Sequence, residues 1–324
     1  MSEEPVAGSD LPIANNKMFM NQRGLRAGWR LLIFVALLAL PPLLILRALA
    51  ALGARFGNGP GPASAPGDGF PTPMLIGELI PFFWLLFVSW VMSRIESRPL
   101  GSYGLPLQNS SFLKKLVVGY VFWGFLPLSL LLLSMRALHV FYFGGVVLAS
   151  SQILQWAIAW GLVFLGVGFL EEYLFRGYAL YTLADGIGFW PAAVVMAACF
   201  AFAHSGNPGE NRIGLGLTAV WAVFASVVLF RTGSLWLAVG AHAGWDWGQS
   251  FLYGVGDSGL QVPGHLLNPH IQGPEWLSGG TVGPEGSVLA LVTMGLMTVA
   301  FLSLYPQSSL LQPPDGSSPD QSSL

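Results

Sequence analysis

Glu171-Glu172-Tyr173-Leu174-Phe175-Arg176 stands inside the apolar stretch 152 to 184. A charged side chain at the centre of a membrane helix costs roughly 2.5–3.5 kcal/mol even on translocon insertion scales, so two adjacent acids there need a role that offsets it. Two further apolar stretches each bring a histidine, in Phe200-Ala201-Phe202-Ala203-His204 and in His242-Ala243-Gly244-Trp245-Asp246. Three membrane-type segments therefore hold a carboxylate pair, two imidazoles and an aspartate. These are the groups that a water-activating site enclosed by a bilayer would need.

The rest of the composition agrees with a bilayer setting. Of 324 residues 53% are hydrophobic and only 9% charged, where an ordinary soluble domain has about 25% charged. The formal net charge of -2 provides no basic field, which excludes nucleic-acid binding. The single cysteine, Cys199, excludes an internal disulfide and a thiolate metal cluster, and its apolar surroundings predict core packing. The first apolar segment follows 27 mostly polar residues, is longer than a signal-peptide core and has no cleavage pattern after it, so it is expected to be retained.

Runs long enough to cross about 30 Å of hydrocarbon fall near 28 to 50, 73 to 93, 113 to 134, 152 to 184, 189 to 205, 213 to 230, 234 to 253 and 286 to 305. The expected fold is all-α, a polytopic membrane bundle of about eight transmembrane helices. It divides into an N-terminal cytoplasmic tail 1–27, N-terminal helices 28–150, a core 151–305 with an outer loop 254–285, and a disordered C-terminal tail 306–324. Met135 to Ser151 is ambiguous and reads as an interfacial helix. Basic residues set the orientation. With the N-terminus inside, Lys17, Arg23, Arg26, Arg30, Arg94, Arg98, Lys114, Lys115, Arg176 and Arg231 lie inside, against Arg47, Arg55, Arg136 and Arg212 outside. The protein is thus expected in the plasma (inner) membrane with both termini cytoplasmic.

Glu171 and His204 are equidistant from the Gly186-Ile187-Gly188 turn, so an antiparallel helix pair joined there brings them level. Each would stand roughly 25 Å from the turn at about 1.5 Å per residue. His242 begins about two turns after the connection Arg231 to Ser234, on the same side as that turn, which predicts a shared cavity opening inward. Glu172 and Arg176, four apart, share a helix face as an ion pair. Glu171 points about 100° away and is free to face His204. A carboxylate so placed can take a proton from water and return it to a leaving amine. His204 can hold the same water, and His242 can donate to the oxyanion. His242 and Asp246 again share a face.

In these motifs the chain resembles the membrane-embedded CaaX prenyl endopeptidases and bacteriocin-processing proteins, the CPBP or Abi family. Glu171, Glu172 and Arg176 match Glu-Glu-x-x-x-Arg, Phe200 and His204 match Phe-x-x-x-His, and His242 and Asp246 match His-x-x-x-Asn or Asp, in order within about 150 to 253. The resemblance implies an intramembrane endopeptidase in which Glu171 and His204 activate water and His242 supports the intermediate. Glu172, Arg176 and Phe200 then serve as structural support. Prenyl-processing members look to carry asparagine where this chain has Asp246, and an aspartate donates a hydrogen bond only when protonated. Asp246 is therefore open to orienting His242 or binding a cation instead.

Other readings stand beside this one. Glu171, His204, His242 and Asp246 have the ligand types of a zinc site, so a metalloendopeptidase is open, although the compact His-Glu-x-x-His signature is absent. The expected partners are the bilayer and a peptide or protein substrate, with a prenylated or otherwise lipidated tail and a bacteriocin-type peptide both open. The alternative to an enzyme is a bacteriocin-immunity or scaffold protein whose polar residues merely tie helices together; that reading requires a fully paired network without a cavity. A transporter is disfavoured because no repeat is evident. His139, His265 and His270 fall in outer loops, and Glu78 is an intramembrane acid without an assigned partner.

Overall fold

Apolar runs separated by glycine and proline fold as helices because a chain in lipid must satisfy every backbone N–H and C=O internally. The computed structural model describes residues 19–21, 24–55, 70–107 and 111–306. The tail before residue 19, most of the Gly/Pro-rich stretch 57 to 73 and the C-terminal tail from 307 lie outside the described residues. The helices are α1 (Ala27–Arg55), α2 (Thr72–Ile95), α3 (Phe112–Val118), α4 (Leu126–Ala137), α5 (Ser150–Arg176), α6 (Tyr178–Ile187), α7 (Phe189–His204), α8 (Arg212–Thr232), α9 (Trp236–Asp246), α10 (Glu275–Ser278) and α11 (Val288–Leu304). A π-helical segment, Gly119–Phe125, fuses α3 to α4, and another, Trp247–Leu252, extends α9. Among the described residues, strands are confined to two short ribbons, β1 (Met20–Asn21) with β2 (Gly24–Leu25) and β3 (Phe141–Tyr142) with β4 (His270–Ile271).

The chain is a polytopic helical membrane bundle. Among the described residues five spans can cross a bilayer by length and composition: Ala27–Ala51, Thr72–Ile95, Phe112–Ala137, Ser150–Ile187 and Arg212–Thr232. Helices α7 and α11 are apolar but shorter. The stretch 152 to 184 is not one rod. It breaks at Gly177, where an added Cβ would overlap the Tyr173 carbonyl oxygen, and α6 leaves in a new direction. Residues 135 to 151 do not form an interfacial helix either. After Ala137 the chain extends and pairs with the late loop, Phe141 opposite Ile271 and Tyr142 opposite His270, because this loop supplies the backbone partners a lone strand would lack.

Contacts define two ends of the bundle. At the first, which we call the basic end, Arg30 bridges Glu96 (2.7 Å) and Asp185 (3.0 Å), Arg98 meets Asp185 at 3.1 Å, and Lys115 donates to Ser234 at 3.2 Å. At the other, the loop end, lie the β3–β4 ribbon, the turn 205–211 and the loop 254–287. There the Val147 amide donates to the Leu266 carbonyl (2.9 Å) and the Gly259 amide to the Val282 carbonyl (3.0 Å).

One interface fixes α9. Gly240 and Gly244 share a face, and a Cβ on either would overlap the carbonyl oxygen of Leu116 or Tyr120; a Cβ on Gly119 or Gly124 would overlap that of Leu237 or Ala241. Residues five apart on an α-helix diverge by about 140°, so the π-helical turn at Gly119–Phe125 is what lets both glycines of that segment face α9. Small residues allow this backbone approach in a bilayer, where packing rather than water exclusion drives association. Gly244→Ala is expected to lower the melting temperature in detergent, consistent with about 1–3 kcal/mol for overpacking. Gly216→Ala, whose Cβ would meet open space, is the control that should not.

Candidate active site

The glycine face of α9 dictates what its other side presents: His242 lies two residues from both Gly240 and Gly244, pointing away from the α3–α4 rod and toward α5. On α5, Gly168 lets α9 come close, since a Cβ there would stand 2.9 Å from the Val239 carbonyl oxygen and 3.5 Å from the His242 Cβ. One turn further on, Glu172 Oε1 accepts from His242 Nδ1 at 2.8 Å and from Trp221 Nε1, on α8, at 3.1 Å. Its other oxygen lies 3.5 Å from Arg176. Glu172 and Arg176 have no exposed side-chain surface. The guanidinium also stacks over Phe200, 4.4 Å from the ring centroid.

Phe200 links this buried pair to the second histidine. Its carbonyl accepts from His204 Nδ1 at 2.8 Å. A carbonyl only accepts, so the proton of a neutral His204 ring sits on Nδ1 and the lone pair on Nε2. That Nε2 lies 3.7 Å from Glu171 Oε2, and His242 Nε2 lies at the same 3.7 Å from the same oxygen. Such separations exceed a direct hydrogen bond but leave one water within reach of both a carboxylate oxygen and an imidazole nitrogen. Asp246 Oδ2 stands 3.5 Å from His242 Nε2. All four candidate residues therefore meet around one space, with Glu172, Arg176 and Phe200 behind it.

That space is a cavity of about 420 Å³, lined by Glu171, His204, His242 and Asp246. Its loop-borne lining comes from Asn207, Asp257, Ser258, Leu260, Val262 and Glu285, all at the loop end, and none of the lining comes from the connections at the basic end. The shared cavity, expected to open on the side of the Gly188 turn, has its loop lining at the opposite, loop end. The reason is the short α7, which stops at His204, and the turn 205–211 and loop 254–287 that line the space beyond it.

Two side chains of the site went unread in the sequence, and a third, Glu78, was read without a partner. Trp221 gave no signal, being 49 residues from Glu172 with nothing polar beside it. Glu285 was visible only as part of a turn; it accepts from Trp245 Nε1 (3.0 Å) and from the Ser258 amide (3.0 Å) and hydroxyl (3.1 Å), pinning the loop to α9. Glu78 on α2 also lines the cavity. The structure corrects two further expectations. Glu172, rather than Asp246, holds His242 at Nδ1. Cys199 is exposed rather than core, because the buried face of α7 runs Ala192, Ala193, Met196, Ala197, Phe200 and Cys199 points outward. His139, His265 and His270 stand at the loop end outside the cavity lining.

Residues 152–248 match the family model for type II CAAX prenyl endopeptidases, Rce1-like. The similarity covers this segment and not the rest of the chain. The segment contains all the motif residues, from Glu171 to Asp246, and ends just inside the π-helical extension of α9. No curated protein matches the chain. The loop that lines the cavity of the Rce1-like segment, with Asp257 and Glu285, lies beyond the match.

Asp257 has its own consequence. It accepts from Ser250 at 2.8 Å, but burial, reinforced by the neighbouring carboxylates of Asp246 and Glu285, pushes its carboxyl well above the usual range. An acid whose folded-state pKa is raised adds stability at low pH and loses it as pH rises through that value. Asp257→Asn is therefore expected to raise the melting temperature at pH 7, with the difference closing as the pH falls below the unfolded carboxylate pKa of about 3.9.

Proposed function

We propose that this protein is an intramembrane endopeptidase that hydrolyses a peptide bond with water activated by Glu171 and His204. The observation that carries the reading is Glu171 Oε2 standing 3.7 Å from both imidazole Nε2 atoms at the wall of an open cavity. Water donates one proton toward Glu171 and the other toward His204 Nε2. As its oxygen bonds to the scissile carbonyl carbon, Glu171 takes a proton and the carbonyl oxygen becomes an oxyanion. His242 donates to that oxyanion from Nε2 when its ring carries both protons, Nδ1–H being held by Glu172. Collapse breaks the C–N bond, Glu171 returns its proton to the leaving amine, and the carboxylic acid formed passes its remaining proton to that amine, so that a carboxylate and an ammonium group depart. The substrate is a polypeptide, extended or locally unwound so that its carbonyl is accessible.

Among the described residues no group of three or more His, Cys, Asp or Glu side chains is arranged to hold a metal ion. No step is therefore routed through zinc. A non-enzymatic tie between helices fits less well. Such a network would be closed, whereas here Glu171, His204, His242 and Asp246 border a cavity.

The test compares membrane peptides from cells carrying the wild-type chain or Glu171→Gln. Peptide products that disappear only with the variant support the protease; identical peptide sets with equal amounts of both proteins would leave the helix-tying alternative standing.

A further inference from the structure

The cavity and the basic residues lie at opposite ends of the bundle. Arg26 and Arg30 at the start of α1, Arg94 and Arg98 at the end of α2, Lys114 and Lys115 at the start of α3 and Arg231 at the end of α8 all gather at the basic end. Ion pairs and hydrogen bonds hold several of these segments together there: Arg30 and Arg98 to Asp185, Lys115 to Ser234, and Arg231 to the Pro306 carbonyl. Arg176, one of the residues that orient the chain by sequence, is buried with Glu172 and drops out of the comparison. Among the described residues the loop end carries fewer basic groups, Arg47, Arg136 and Arg212, alongside the acids Glu210, Asp257, Glu275 and Glu285. Lysine and arginine in short loops are retained on the cytoplasmic side, whereas acids contribute little to orientation.

From this polarity we infer that the cavity opens on the non-cytoplasmic face of the membrane, and that its substrate is a polypeptide presented there after export. Every loop residue that lines the cavity, from Asn207 to Glu285, then lies outside. The peptide reaches Glu171 from beyond the membrane, and the reaction that supplies it is translocation of a secreted chain or of the outer portion of a membrane protein. A lipidated tail that stays in the cytoplasm meets the basic end, whose connections contribute nothing to the lining of the catalytic cavity. The substrate half of this inference rests on the protease reading; the orientation half does not.

Cys199 is the chain's only cysteine, so Cys199→Ser supplies a thiol-free background. Three single cysteines are placed in it: Gln261→Cys, exposed between the cavity residues Leu260 and Val262; Ala203→Cys, inside the cavity; and Ser102→Cys, exposed at the basic end. Intact cells are treated with a membrane-impermeant maleimide. Labelling of the first two, with Ser102→Cys labelled only after permeabilisation, is expected. The reverse pattern, or equal labelling of both ends, overturns the inference. Labelling needs no catalysis, so the expected pattern together with an unchanged peptide set in Glu171→Gln cells would sink the protease and leave the orientation intact.

Discussion

Glu171→Gln is expected to leave a folded bundle whose rate of peptide hydrolysis falls by roughly 10²–10⁴-fold, the scale that general acid–base catalysis supplies. Glutamine keeps the volume and one acceptor oxygen but cannot take a proton from water. Glu171 makes no direct hydrogen bond to either histidine, its nearest approaches to them being 3.7 Å, so little folding energy depends on its charge. The loss should therefore appear in kcat with an unchanged melting curve. His204→Gln acts on the same water, and the double variant is expected to be hardly slower than Glu171→Gln alone, because groups that act as a unit are not additive. Purified Glu171→Gln at wild-type rate, or strictly multiplicative losses, would refute a shared water.

Glu172→Ala is expected to fail differently, by destabilising the fold by about 3–5 kcal/mol, the cost of removing one member of a buried ion pair. Arg176 would be left charged and enclosed, and both His242 Nδ1 and Trp221 Nε1 would lose their acceptor. Adding Arg176→Met removes the orphaned charge, and apolar replacements of buried pairs are often neutral. The double variant should recover most of the melting temperature. Its hydrolysis should stay low, since nothing then holds His242 in its tautomer and orientation. Recovery of stability and activity together would reduce Glu172 to a clamp; recovery of neither would place its main role elsewhere.

The contrast between these two acids also marks how far the sequence could be read. That Glu171 and Glu172 do different work follows from about 100° of rotation per residue, and the pairing of Glu172 with Arg176 follows from their spacing. The meeting of Glu171 with His204 follows from equal distance to the Gly188 turn, and it survives the break at Gly177. Spacing carries no information about which histidine nitrogen an acid reaches. The bond from His242 Nδ1 to Glu172 depends on how closely α9 approaches α5, which Gly168 permits and no periodicity encodes. Helix α7 is apolar on every side, which hid the outward position of Cys199.

By itself the chain determined a helical membrane bundle, because apolar runs of this length have no other way to satisfy their backbones in lipid. It determined the order of its three motifs, and it determined a basic and a less basic end through where lysine and arginine fall. The tertiary structure alone decided which end the cavity opens to. That direction depends on where short helices stop and loops such as 254–287 pack, and on close contacts between backbones whose side chains are absent. A glycine records in the sequence only that something can approach it; the approaching partner is chosen by the packing of the whole bundle.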